Sequence, residues 1–100
     1  MGRIRVSKLA QRDIGEIGRY TQKAHGPTQR RKYLASLYER FEFLQDMPQI
    51  AGERHEFTPP VRIFRHNHHY IVYIADVSGI LIVRVLHTSM DINTLLTAES

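Results

Sequence analysis

Ile80-Leu81-Ile82-Val83-Arg84-Val85-Leu86-His87-Thr88-Ser89-Met90-Asp91 is the run on which the fold turns. From Ile80 to His87 it is apolar except at Arg84 and His87, rich in β-branched residues, and free of Gly and Pro. That composition predicts a strand buried along most of its length. An unpaired guanidinium costs several kcal/mol to desolvate, so Arg84 needs a partner or a cleft. His87 stands where the strand runs out.

Working back along the chain, Asp76-Val77-Ser78-Gly79 reads as a hairpin turn, and Tyr70–Ala75 as the strand before it. Val61–His66 reads as a third strand, and residues 48–61 as irregular, with Gly52 and Pro59-Pro60 as turn residues. Upstream, Tyr33, Leu34, Leu37, Tyr38, Phe41 and Leu44 recur at helical spacing over residues 28–47, which Pro48 ends. Tyr33, Tyr38 and Phe41 are expected in the core; Phe43 and Phe57 fall off the stripes, which suits exposure and, for Phe57 beside Pro59-Pro60, a protein-binding surface, although a packed loop is the better reading for Phe57. Ala10, Ile14, Ile17 and Thr21 mark an earlier helix capped by Ser7, with Gly26-Pro27 between the two. So short a connection makes an antiparallel helical hairpin. Ile4 and Val6 alternate with Arg3, Arg5 and Ser7, giving an initial edge strand. The order β-αα-βββ predicts an α+β domain spanning residues 1–100: an antiparallel sheet with an N-terminal helical hairpin on one face.

Hydrophobic residues make up 42% of the chain and charged residues 24%, an ordinary globular balance. The absence of Cys excludes disulfides and thiolate metal sites. No apolar run approaches the ~20 residues of a membrane span, and the N-terminus lacks the apolar core of a signal peptide. A cytoplasmic protein with no membrane contact is expected. The charge is uneven. Residues 1–32 carry nine Lys/Arg against two acids, whereas residues 33–61 carry two against five. A basic N-terminal third suits an anionic partner, nucleic acid or an acidic protein segment, or is a solvated face.

His66-Asn67-His68-His69 invites a metal reading. In an extended segment, however, His66 and His68 share a face while His69 points away, so a polar turn is the better reading. No metal or other cofactor is expected. A ribonuclease needs a base, an acid and cations for the phosphorane charge. Arg62, Arg65 and Arg84 with His87 or a Tyr are the candidates. Arg62 and Arg65, three apart, face opposite sides of a strand unless a bulge intervenes, and no Lys lies in the sheet. The simpler reading pairs Arg84 with an acid or a carbonyl and makes His87 a strand-end cap.

The chain resembles the ParE toxins of the RelE/ParE superfamily. The resemblance rests on Ser7-Lys8-Leu9-Ala10, Asp13-Ile14, Ile17 and Tyr20-Thr21; on Gly26, Gln29, Tyr33, Leu37, Phe41, Leu44 and Pro48; on Val61-Arg62 and His69-Tyr70-Ile71-Val72-Tyr73; and above all on Arg84-Val85-Leu86-His87-Thr88-Ser89-Met90-Asp91. Pro59-Pro60 departs from the family's usual lead into its second strand. The resemblance implies a RelE/ParE-like fold and a toxin of a type II toxin–antitoxin system. It further implies inhibition of DNA gyrase by binding, and neutralisation by a ParD-like antitoxin in a hetero-oligomer. Neither enzymatic activity nor sequence-specific nucleic-acid binding by the chain alone is implied. RelE relatives instead cleave mRNA on the ribosome, which stands as the alternative. Arg62 and Arg84 occupy matching strand positions, but the Lys cluster is missing and Met90-Asp91 stands where catalytic groups tend to fall. The expected target-binding residues are Arg62, Arg65, His69, Arg84, His87, Met90 and Asp91, with Arg84 pairing Asp91 as one possible arrangement. The expected antitoxin-binding residues are Arg12, Arg19, Tyr20 and Lys23.

Overall fold

The computed structural model describes residues 2–98. Strand β1 (Arg3–Val6) leads into helix α1 (Lys8–His25), followed by α2 (Pro27–Asp46). A 3-10 turn at Pro48–Ile50 precedes the two-residue β2 (Glu53–Arg54). Then come β3 (Val61–His66), β4 (His69–Asp76) and β5 (Gly79–His87), and finally α3 (Ile92–Ala98). The sheet order is β1-β5-β4-β3-β2. The meander is antiparallel as expected, but β1 runs parallel to β5. The helical hairpin carries the chain from β1 at one edge of the sheet to β2 at the other, and the meander β3-β4-β5 brings it back beside β1. Residues 48–61, expected to be irregular, contribute the 3-10 turn and the edge strand β2.

Local chemistry explains the joints. Ser7 Oγ accepts from Ala10 N at 3.0 Å and so caps α1. Gly26, at φ 91°, ends α1 with its amide on Gln22 O, and Pro27 opens α2. Gly79, at φ 127°, lies so close to β1 that a Cβ there would stand 2.1 Å from Arg3 O. No side chain fits between the first and last strands.

The α1–α2 hairpin covers one sheet face, where Leu37, Phe41 and Leu44 meet Ile71, Tyr73, Ile80, Ile82 and Val85. Tyr38, expected beneath the sheet, is 47% exposed; it lies on the solvent side of α2, edge-on to Phe41. Phe43, off the apolar stripe and expected at the surface, instead packs against the core, its ring 6.0 Å from Phe64. The opposite face carries a second cluster of Phe57, Val61, Val72 and Leu86. Ile92, Leu95 and Leu96 of α3 cover it, and sequence periodicity had not indicated that helix. Among the described residues no helix is long and apolar enough to cross a membrane.

Candidate functional site

Three strands bring three histidines into one row at an end of the sheet. His66 pairs with His69, and His69 with His87. Directly paired residues share a face, and this row lies on the face covered by the helices. The polar turn expected at His66–His69 is present, because Asn67, at φ 54°, turns the chain between the two strands. Instead of diverging, the His66 and His69 side chains stand side by side.

Each ring has a defined partner. Arg40 Nε donates to His66 Nδ1 at 3.4 Å, which leaves Nε2 to donate to Ser36 Oγ at 3.1 Å. Ser36 Oγ in turn donates to Tyr33 O. The arrangement requires neutral imidazole, and burial followed by the nearby Arg40 charge lowers the His66 pKa. His69 Nδ1 lies 2.6 Å from Tyr33 Oη. Burial, then the neighbouring His87, His68 and His66, lower its pKa from 6.5 to about 4. The His87 ring stands edge-on to His69 at 5.4 Å and stacks on His68 at 6.4 Å. Ser89 N donates to His87 Nδ1 at 3.0 Å, so His87 does cap the strand end.

A groove of about 710 Å³ opens between this row and the helical hairpin. Ile17, Tyr20 and Glu16 of α1 form one wall; Tyr33, His69 and His87 form the floor, with Met90 at the rim. Among the described residues no group of three or more His, Asp or Glu is placed to hold a metal ion.

Arg84 finds its partner on α1. Its Nε and a terminal nitrogen donate to Asp13 at 2.8 and 3.0 Å, a two-pronged contact. Those hydrogen bonds raise the Arg84 pKa in spite of burial. The pairing with Asp91 is thereby corrected, for a physical reason. A register irregularity leaves Val83 as an extra residue between the pairs Tyr73–Ile82 and Val72–Arg84. This bulge turns Arg84 and Val85 toward the helices. Its backbone is tied down by α1: Ser7 Oγ donates to Val83 O, and Val85 N donates to Asp13 Oδ2. Asp91 instead accepts from Thr94 N and Thr94 Oγ1 at the start of α3, and those bonds lower its pKa.

The structure therefore brings His69, His87, Met90 and Tyr20 around one groove, with Arg84 behind its wall. Arg62 and Arg65 stay apart from it. Arg62 shares the helix-covered face but sits four residues up β3 from His66, donating to Ala51 O. Arg65 is exposed on the other face and bonds Asn67 O. Arg12, Arg19 and Lys23 join Tyr20 on the exposed side of α1. Asp13, Glu16 and Tyr33 were missed as site residues. The signal for Asp13 was present: Arg84 demanded an acid, and Asp13 is an acid beside the apolar stripe of α1.

The profile of the ParE toxins of type II toxin–antitoxin systems, parDE, matches residues 4–92. The chain belongs to that family. It is 32% identical over 86 residues to Toxin ParE of Escherichia coli, covering 85% of this chain and 84% of the relative. A solved structure, the chromosomal ParDE TA system from P. aeruginosa, superposes with a TM-score of 0.74 at 19% identity, over 87% of this chain and 96% of that one. That likeness supports a RelE/ParE-like fold. Within this ParE-family chain the match runs from β1 to the first residue of α3, so it takes in the whole groove and the bulge behind it.

Proposed function

We propose that this chain is a one-domain cytoplasmic toxin that binds and inhibits DNA gyrase, blocks replication, and is neutralised by a ParD-like antitoxin in a hetero-oligomer. Family membership supports the class. The observation that favours binding over catalysis is the fate of the sheet arginines. Phosphodiester cleavage needs cations converging on the developing phosphorane charge. Here Arg84 is neutralised by Asp13 and Arg62 is committed to Ala51 O some four residues from the histidine row, while Arg65 points to the opposite face. His87, Met90 and the Asp91-capped turn form the rim offered to the target, with His69 and Arg84 holding its shape.

A supercoiling assay with purified gyrase tests this reading. Inhibition with a trapped cleavage complex at micromolar toxin is expected; intact supercoiling at that concentration would sink it. The adjacency of Tyr33, His69 and His87, three proton carriers, is the observation that favours RelE-type mRNA cleavage. Primer extension on translated message separates the two, since codon-positioned cuts belong to the nuclease alone.

The antitoxin is placed across α1, with an acidic segment facing Arg12, Arg19 and Lys23 and an apolar side chain beside Tyr20. Reversing charge at Arg12 and Arg19 should slow association and reduce its salt dependence. Unchanged kinetics would move the antitoxin elsewhere.

A further inference from the structure

The exposed face of α2 is arranged against its own helix. Arg31 and Lys32 lie near its N-terminus and Glu42 and Asp46 near its C-terminus, with no acid in the first turn and no base in the last. The helix dipole disfavours an acid in the last turn, where Asp46 stands. Glu42 and Asp46 are also like charges four apart, which repel. The ion pairs among the described residues are Arg5–Asp76, Arg54–Glu56, His55–Glu53 and Arg84–Asp13, so none offsets these costs. Local rules broken without local compensation point to an outside partner.

The face has a second property, symmetry. Arg31, Ala35, Tyr38 and Glu42 are all exposed and fall on one stripe of α2 at steps of four, three and four residues. The midpoint between Arg31 and Glu42 coincides with the midpoint between Ala35 and Tyr38. Two copies of α2 packed antiparallel about that midpoint place Arg31 opposite Glu42 at both ends, about 16 Å apart along each helix. In the middle each half-exposed Tyr38 ring meets the small Ala35 of the other copy. A two-fold interface requires this kind of self-complementarity, in which one patch matches itself.

We propose that α2 is a self-association face, on which a second copy of this chain docks antiparallel through Arg31–Glu42 pairs flanking Tyr38 and Ala35. One exposed helix face is small for an interface, so the dimer is weak and salt-sensitive. It leaves the groove, on the other side of the hairpin's contact with the sheet, outside the contact.

Sedimentation equilibrium of the purified chain at low and high salt tests this, with circular dichroism to establish that each variant is folded. The wild type is expected to dimerise at high micromolar concentration and to dissociate with salt. Arg31→Glu and Glu42→Arg each set like charges opposite one another and should weaken the dimer at least tenfold. An equimolar mixture of the two variants should restore it, because reversed then faces reversed and native faces native, each pair of opposite sign. A monomeric wild type, single variants that dimerise unchanged, or a mixture that stays monomeric would each overturn the proposal. If the wild type is monomeric and both variants bind the antitoxin less tightly, the face belongs to the antitoxin.

Discussion

The two faces of the sheet are covered by different means. One lies under two helices of 18 and 20 residues, whose buried Leu37, Phe41 and Leu44 interlock with strand residues. The other lies under the seven-residue α3 and the loop holding Phe57. A short helix held by Ile92, Leu95 and Leu96 can shift toward a void, whereas a long hairpin pinned at both ends cannot. The same amount of buried apolar surface is thus expected to resist truncation differently on the two sides.

Phe41→Ala should cost about 4 kcal/mol, near the upper range for core truncation, because the hairpin cannot collapse into the space. Asp13→Ala removes the two-pronged acceptor of Arg84, only 12% exposed, and frees the bulge amide, at about 3 kcal/mol. Leu86→Ala on the thin face should cost about 2 kcal/mol, since α3 can follow the lost methyls. Urea denaturation ranks all three, and equal losses for Phe41→Ala and Leu86→Ala would erase the distinction between the faces.

The pH response should be confined to the hairpin side. His69 titrates at about 4 when folded and near 6.5 when unfolded, so between those values the unfolded chain holds more protons. Stability therefore falls as pH drops from about 6.5 toward 4 and is complete above that window. The ring is partly solvated, which holds the effect to about 1–2 kcal/mol. His69→Gln should flatten the profile; a profile left unchanged would place the acid sensitivity elsewhere. The smallest effect belongs to Asp91→Ala, which removes the α3 cap at about 0.5–1 kcal/mol, read from the same urea midpoints.

The contrast between the faces also explains what could be read from the sequence. The α1 and α2 stripes are long enough for 3.6-residue periodicity to show, so the hairpin and its face were legible. α3 spans barely two turns, and its Leu95-Leu96 pair carries no period. β2 is a two-residue strand, defined by its pairing with Arg62 and Val61. At the candidate site the need for an Arg84 partner was legible, but its identity depended on a bulge that no local pattern announces. The polar turn at His66–His69 was legible, but the side-by-side histidines were not, because alternation along a strand fails where the strand turns back. Tyr38 matched the helix period and still faces solvent, where the symmetry of α2 gives it a use.

β5 lies between β1 and β4, so Arg3 near the start of the chain has no neighbour until Gly79 has been added. A nascent chain on the ribosome can form the local α1–α2 hairpin, but its sheet lacks the strand that joins β1 to β4 until the last third of the protein is synthesised. Closure of so distant a pair is slow compared with helix formation. A product cut short before that strand has the helices and lacks both the bulge behind the groove and the His87 rim.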